Sequence, residues 1–366
     1  MKIIGLYGCC GWAPDDNWLH SSGASLWIDG THVSTISEER LTREKYDGNF
    51  PDLSIDYVLD EAEITRDEVD LVVYVENVHS APIHTAIQDV LSREFPQAKV
   101  SFCDHHQAHA CATFYTSPFE KASIISFDGA GKRFLDGQYE TGLYAIGDKQ
   151  KGIYVVYHSL NRLDHDNKTF NLGQVYNNIS RWCYSKMEPK KAEAITNPYV
   201  FMETAPGKIM GLSAYGDKDK VDLPDLFRIN SDGFYFPYIY DHRMPTEAQM
   251  DKYDAKDIAA WLQYQFEEIL IKFFATLSIK APNLCIGGGC GLNVLANAAL
   301  LKSRWRPGFF KDIHIFPAAN DSGLCFGGAL YEVSQKEEVI TIDDDLGFTG
   351  KLYYDEEIED ALREAR

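Results

Sequence analysis

Short apolar runs punctuated by turn residues dominate the first hundred residues. Residues 2–7, 24–29 and 32–38 carry the alternating, β-branched pattern of strands, and Asp29-Gly30 marks the turn between the last two. Helical spacing follows over 54–62, with a further turn at 64–67. A strand at 70–75, a helix at 83–95 and a strand at 98–102 lead into a small-residue helix beginning at His105. The order then restarts. Residues 123–127 read as a strand, and 142–146 and 153–158 as two more around a hairpin at 147–152. Helical stretches at 172–183 and 255–278 precede a strand at 284–286, a glycine loop, a helix at 293–302, a strand at Ile313 and a helix at 324–335. A three-stranded meander followed by βα units thus occurs twice. That predicts an α/β fold built by duplication of element order, without a residue-level repeat. Two such lobes face each other across a cleft, and ligands favour strand ends and domain interfaces.

The predicted division is a first lobe over 1–120, a second over 121–338 and a tail over 339–366. Asp343-Asp344-Asp345 reads as a solvated linker. The acidic, helix-spaced run from Asp355 to Leu362 reads as a surface helix or the first element of a further domain.

Charge narrows the partners. The formal net charge is −20, which argues against nucleic acid as the primary partner. Local basic patches at Arg40, Arg43 and Lys45, or at Lys186, Lys190 and Lys191, could still hold phosphates. No apolar run has the length of a membrane span, and Met1 to Leu6 runs directly into a strand without a signal-peptide layout. The 8 cysteines are scattered with no C-x-x-C pair, as expected of reduced, mostly buried thiols in a cytoplasmic protein.

The most informative stretch is Asp104-His105-His106-Gln107-Ala108-His109-Ala110. On a helix, His105 and His109 share one face, so both imidazoles could grip one metal ion. Two candidate carboxylates follow predicted strands: Asp128 in Asp128-Gly129-Ala130-Gly131, and Asp321 in Asn320-Asp321-Ser322-Gly323. The other reading is a His pair satisfied by local hydrogen bonds on a solvated helix. Three glycine clusters could bring backbone N–H groups to phosphates: 128–131, Lys208 to Gly216, and Gly287-Gly288-Gly289-Cys290-Gly291-Leu292-Asn293. None has the Walker A or Rossmann spacing, so each is also readable as a tight turn. His20, after a loop holding Trp12 and Trp18, could act as a general base or be an ordinary surface or core histidine. Trp12, Trp18, Tyr176, Trp182 and the run from Phe234 to Tyr240 could line an acceptor pocket or belong to the core.

In this order the motifs resemble the O-carbamoyltransferase family of nodulation and antibiotic-tailoring enzymes. The resemblance runs over residues 2–345. It rests on His20-Ser21-Ser22-Gly23 before a small-residue strand, Glu38-Glu39-Arg40 with Arg43-Glu44-Lys45 and Phe50-Pro51, the His run at 105–110, and Asp128-Gly129. It continues through Lys208-Ile209-Met210-Gly211-Leu212 to Tyr215-Gly216, the 287–293 run and Asp321-Ser322-Gly323. It implies an actin-like ATPase fold, shared with threonylcarbamoyl-transfer proteins that modify transfer RNA, with two duplicated lobes around a nucleotide cleft. The implied activity is transfer of a carbamoyl group from carbamoyl adenylate to the hydroxyl of a small molecule, sugar-like or a natural product. His105, His109, Asp128 and Asp321 would hold a divalent metal, iron by the resemblance, with Mn or Zn also compatible. Gly129, Gly131, Lys208, Gly211, Gly288, Gly289 and Asn293 would bind ATP or carbamoyl adenylate, and His20 would be the catalytic base.

Two departures accompany the resemblance: Ser21-Ser22-Gly23 replaces the usual Asp-Ala-small run, and the Gly11–Leu19 loop is enlarged. Family members are also longer, their second domain making carbamoyl adenylate. The chain is therefore expected to lack that step and to rely on a separate carbamoyl-adenylate-forming domain or subunit. A homodimer stays open. The alternatives are a transfer-RNA-modification-type protein and a non-catalytic nucleotide-binding regulatory or scaffold subunit.

Overall fold

The computed structural model describes residues 1–10, 20–134, 138–162, 172–195, 198–230, 238–241, 244–277, 280–303, 309–337, 339–342 and 354–364. The loop with Trp12 and Trp18, Phe234 to Pro237, and Asp343-Asp344-Asp345 lie outside them.

The first sheet is built from β1 (Lys2–Tyr7), β2 (Gly23–Ile28), β3 (Thr31–Ser37), β4 (Leu71–Glu76) and β5 (Lys99–Asp104), in the order β3-β2-β1-β4-β5. The meander is antiparallel, and β4 and β5 add parallel to β1. The second sheet is built from β6 (Lys121–Phe127), β7 (Gln138–Asp148), β8 (Gly152–Arg162), β9 (Asn283–Gly287) and β10 (Ile313–Ile315). Its backbone repeats the scheme as β8-β7-β6-β9-β10, with the same antiparallel meander and the same two parallel additions. This is the duplicated two-lobed arrangement of the actin-like fold. Short strands Val78–His79 and Arg133–Phe134 pair with each other and extend the second sheet through β7.

The longer helices are α1 (Asp52–Glu61), α2 (Ala81–Glu94), α3 (His105–Tyr115), α4 (Leu172–Met187), α5 (Pro198–Leu212), α6 (Ala255–Thr276), α7 (Val294–Ser303), α8 (Leu324–Lys336) and α9 (Asp355–Glu364). Helix α3 buries residues all round, including Ala108, Ala110, Ala112 and Phe114. Burial on every side, its three histidines included, places this helix in an interior. One side packs with Ala122, Ile124, Leu143 and Ala145 of the second sheet. The other side joins Ile3, Val73, Val75, Phe326 and Ala329 in the core beneath the first sheet. Helix α8, on the second-lobe side of the expected boundary at 338, thus lies against the first sheet. The α3–α8 crossing is so close that a Cβ on Gly327 would stand 2.0 Å from the Ala108 carbonyl oxygen. Only glycine fits there.

Most strands fall where periodicity places them. The 208–216 run does not form a glycine loop. Residues up to Leu212 belong to α5, with Pro206 inside it, and a short 3-10 turn follows. Pro206 has no N–H to bond the Met202 carbonyl one turn earlier. Asn177 Nδ2 donates to that carbonyl instead, at 3.2 Å, so the helix tolerates the proline. Tyr176 and Trp182 belong to the second-lobe core, packed with Phe266 and Trp261. No helix among the described residues is long and apolar enough to cross a membrane.

Candidate metal centre

The parallel strands deliver their carboxyl ends to one place, between the sheets. β5 ends at Asp104 and passes directly into α3, so His105 opens the helix and His109 follows one turn later. β6 ends at Phe127, which puts Asp128 at the tip of the neighbouring sheet. Asp321 sits in the 3-10 turn that leads into α8. Side-chain atoms of all four converge within 4.8 Å of one another.

The two Nε2 atoms lie 3.2 Å apart. Asp128 Oδ2 lies 3.7 Å from His105 Nε2 and 3.2 Å from His109 Nε2. Asp321 Oδ1 lies 3.6 and 3.5 Å from the same two nitrogens. Bonds of about 2.0–2.2 Å to one ion separate ligand atoms by roughly 2.9–3.6 Å. The observed distances, 3.2–3.7 Å, reach just past that range, so a small inward shift of Asp128 towards His105 would close the set on a divalent metal, which two imidazoles and two carboxylates suit in kind. The imidazoles are 0% and 2% exposed, which removes the solvated-helix reading.

The site polarises its own members. Burial alone would lift the Asp128 carboxyl, but the two imidazoles outweigh it and hold it well below the usual carboxylate range. Burial likewise opposes ionisation of Asp321, and His105 with its neighbours brings that carboxyl below the ordinary value. Burial would lower His109, yet hydrogen bonds to Asp128 and Asp321 raise it to about 9.

Supporting contacts surround the cluster. Asp128 accepts from the Gly129 N–H at 2.6 Å through Oδ1 and from the Gly289 N–H at 3.3 Å through Oδ2. Gly288 has φ +82, and a Cβ there would stand 2.2 Å from the Phe127 carbonyl oxygen. Only glycine lets the 287–291 turn lie so close to the β6 end. His106 is outside the ligand set, its Nδ1 2.8 Å from Ser126 Oγ, and burial pushes it down to about 4. Lys132 pairs with Glu76 at 2.8 Å and Asp104 at 2.5 Å, tying the turn after Gly131 to the start of α3.

His20 enters from the first lobe. Its Nδ1 lies 3.1 Å from Ser21 Oγ, and its Nε2 faces Asp321 Oδ2 at 3.7 Å and Glu203 Oε1 at 3.8 Å. Glu203, on α5, keeps 26% of its side chain exposed. Burial nevertheless raises its carboxyl to about 7 against the opposing pull of His20. Tyr46 hydrogen-bonds Thr204 beside it, so α5 meets the first lobe at this edge of the cleft.

The expected nucleotide residues divide. Gly129, Gly131, Gly288 and Gly289 gather around Asp128 and α3. Asn293 makes contacts within its own lobe: Oδ1 caps α7 through the Ala296 N–H at 3.0 Å, and its amide pairs reciprocally with Gln263. Lys208 lies over the Tyr184 ring at 5.1 Å from its centroid. Gly211 sits on α5 with open space where a Cβ would go. Sequence reasoning missed Glu203, Tyr7 and Asn77. A strand-end position could have drawn attention to Tyr7 and Asn77, whereas nothing local marks Glu203.

Residues 10–81 and 83–330 match the family described as the carbamoyltransferase N-terminus. The chain belongs to this family. The uncharacterised protein sll1178 of Synechocystis is 28% identical over 94% of this chain and 61% of its own length. Nodulation protein NolNO of Sinorhizobium fredii is 27% identical over 86% of this chain and 46% of its own length. The carbamoyltransferase N-terminus described here thus spans less than two thirds of these relatives. Among solved structures, full-length HypF in a phosphate- and nucleotide-bound form is similar, with a TM-score of 0.49 and 12% identity, covering 93% of this chain and 56% of HypF.

Proposed function

We propose that this chain performs the transfer step of an O-carbamoyltransferase, moving a carbamoyl group from carbamoyl adenylate to a hydroxyl of a sugar-like or natural-product acceptor. The observation that carries the reading is His20 Nε2 facing Asp321, itself one of the four candidate ligands, at 3.7 Å. A base and a candidate cation site share one cleft edge. With Nδ1–H donating to Ser21 Oγ, Nε2 keeps a lone pair for the acceptor proton. The acceptor oxygen bonds the carbamoyl carbon, its proton passes to His20, and the carbon–oxygen bond to adenosine monophosphate breaks.

A divalent metal held by His105, His109, Asp128 and Asp321 would supply positive charge opposite the adenylate phosphate. Iron is the metal proposed, and the same donors accept Mn or Zn. The backbone of Gly129, Gly131, Gly288 and Gly289 would cradle the phosphate side. Gly207 and Gly211 fall four and eight residues after Glu203, on one face of α5, and a Cβ on either would meet nothing within 4 Å. That open face supports Lys208 and Gly211 as the flank of the nucleotide. Carbamoyl adenylate itself would come from a separate domain or subunit.

The test combines metal analysis of the purified chain, calorimetric titration with ATP and adenosine monophosphate, and transfer assays with carbamoyl adenylate and a panel of polyols. About one metal per chain and metal-dependent nucleotide binding are expected. Absence of both metal and nucleotide binding would overturn the reading. His20→Asn should keep metal and nucleotide binding while transfer falls about 10²–10⁴-fold. Undiminished transfer would remove His20 from the chemistry.

A further inference from the structure

We propose that Tyr7 and Asn77 are positioning residues, forming a one-directional hydrogen-bond relay that presets both His105 and Asp321 for the metal. The inference rests on the metal reading above and adds residues that touch no metal themselves.

The relay has three bonds. His105 Nδ1 lies 2.7 Å from Asn77 Oδ1. Asn77 Nδ2 donates to Tyr7 Oη at 2.9 Å. Tyr7 Oη donates to Asp321 Oδ2 at 3.0 Å. His105 and Tyr7 are completely buried, so no bulk water competes for these groups.

The direction follows from what each group can do. An ionised Asp321 only accepts, so the single Tyr7 proton goes to it. Tyr7 Oη must then accept from its other neighbour, and only the Asn77 NH₂ can supply that bond. Asn77 therefore turns its carbonyl oxygen to His105, and His105 must donate from Nδ1. The consequence is a tautomer with a lone pair on Nε2, the nitrogen that faces His109, Asp128 and Asp321. At the other end, Tyr7 occupies Oδ2 of Asp321 and leaves Oδ1 to the cluster. If the Asn77 amide were reversed, Tyr7 would give its proton to Asn77, and two oxygen lone pairs would face each other at the Tyr7–Asp321 contact.

The backbone holds the relay in place. Tyr7 is the last residue of β1, and Asn77 directly follows β4, its parallel neighbour. The Asn77 carbonyl also accepts from the Arg133 N–H at 2.8 Å, which anchors the turn to the second sheet. Outer partners of this kind orient ligand imidazoles, and their loss usually costs about 10–100-fold in metal affinity.

The test measures Zn²⁺ affinity by competition with a chromophoric chelator, and the visible absorption of the Co²⁺-substituted chain. Tyr7→Phe and Asn77→Ala should each bind Zn²⁺ about 10–100-fold more weakly and shift the Co²⁺ bands. The double variant should lose little beyond the worse single one, because both break the same relay. Tyr7→Phe removes one oxygen and keeps the ring, so it remains informative if Asn77→Ala misfolds. Unchanged affinity and spectra in Tyr7→Phe, with binding lost in His105→Ala, would overturn the relay and leave the metal reading standing. Fully additive losses would also overturn it, showing two independent supports. No metal on the parent chain would overturn both.

Discussion

The ends of β1 and β6 occupy equivalent places in the two sheets and carry different chemistry. Tyr7 stands opposite Gly23 of β2, and Phe127 stands opposite Gly142 of β7. The next residue is Gly8 in the first lobe and Asp128 in the second. The repeated element order thus gives two equivalent strand tips, and a carboxylate follows only the second. The first-lobe tip keeps a phenol instead, one bond removed from the candidate ligands. Symmetric backbones can hold an asymmetric site because each tip changes independently of the sheet that supports it.

The largest effect should come from erasing the asymmetry. Asp128→Ala leaves both tips without a carboxylate and should cut Zn²⁺ affinity by more than the roughly 100-fold expected for an outer partner such as Tyr7. Equal losses in Asp128→Ala and Tyr7→Phe, read by the same chelator competition, would erase the distinction between ligand and support. A smaller effect separates glycines near the second tip. Gly288→Ala combines φ +82 with a Cβ 2.2 Å from a carbonyl oxygen, whereas a Cβ on Gly129 would meet nothing within 4 Å. Denaturant unfolding should show a loss of at least about 1–3 kcal/mol for the first and within about 0.5 kcal/mol for the second.

The smallest effect concerns Glu203, which burial raises to about 7. Between its ordinary value near 4.5 and about 7, the folded chain keeps a proton that the unfolded chain releases. Stability contributed there therefore falls as pH rises through that window and levels off above it. Glu203→Gln should remove that slope, on the order of 1 kcal/mol after allowance for partial exposure, in melts taken at pH 5 and pH 8. An identical slope in the variant would assign the proton to another group.

Legibility differed between the lobes for a physical reason. First-lobe strands alternate cleanly between turns, and periodicity found β1, β2, β3, β4 and β5 within a residue or two. In the second lobe, the run from Lys208 to Gly216 reads as a glycine cluster, yet α5 is helical as far as Leu212, with Pro206 inside it. A side chain from α4, Asn177, satisfies the carbonyl that the proline leaves unbonded. Local propensity carries no information about such distant partners. Glu203 was invisible for the same reason, since its importance comes from burial against His20.

Sequence by itself determined what depends on short-range spacing. It specified the duplicated strand and helix order, the pairing of His105 with His109 at one helical turn, and the placement of Asp128 after a strand. Tertiary structure decided what depends on register and crossing. It brought Asp321 from the foot of α8 to Asp128, chose the imidazole nitrogen that faces the cluster, and turned Tyr7 and Asn77 into its supports. Those choices require α3 to be buried between both sheets, where polar groups without partners are costly, and no local stretch of chain contains that constraint.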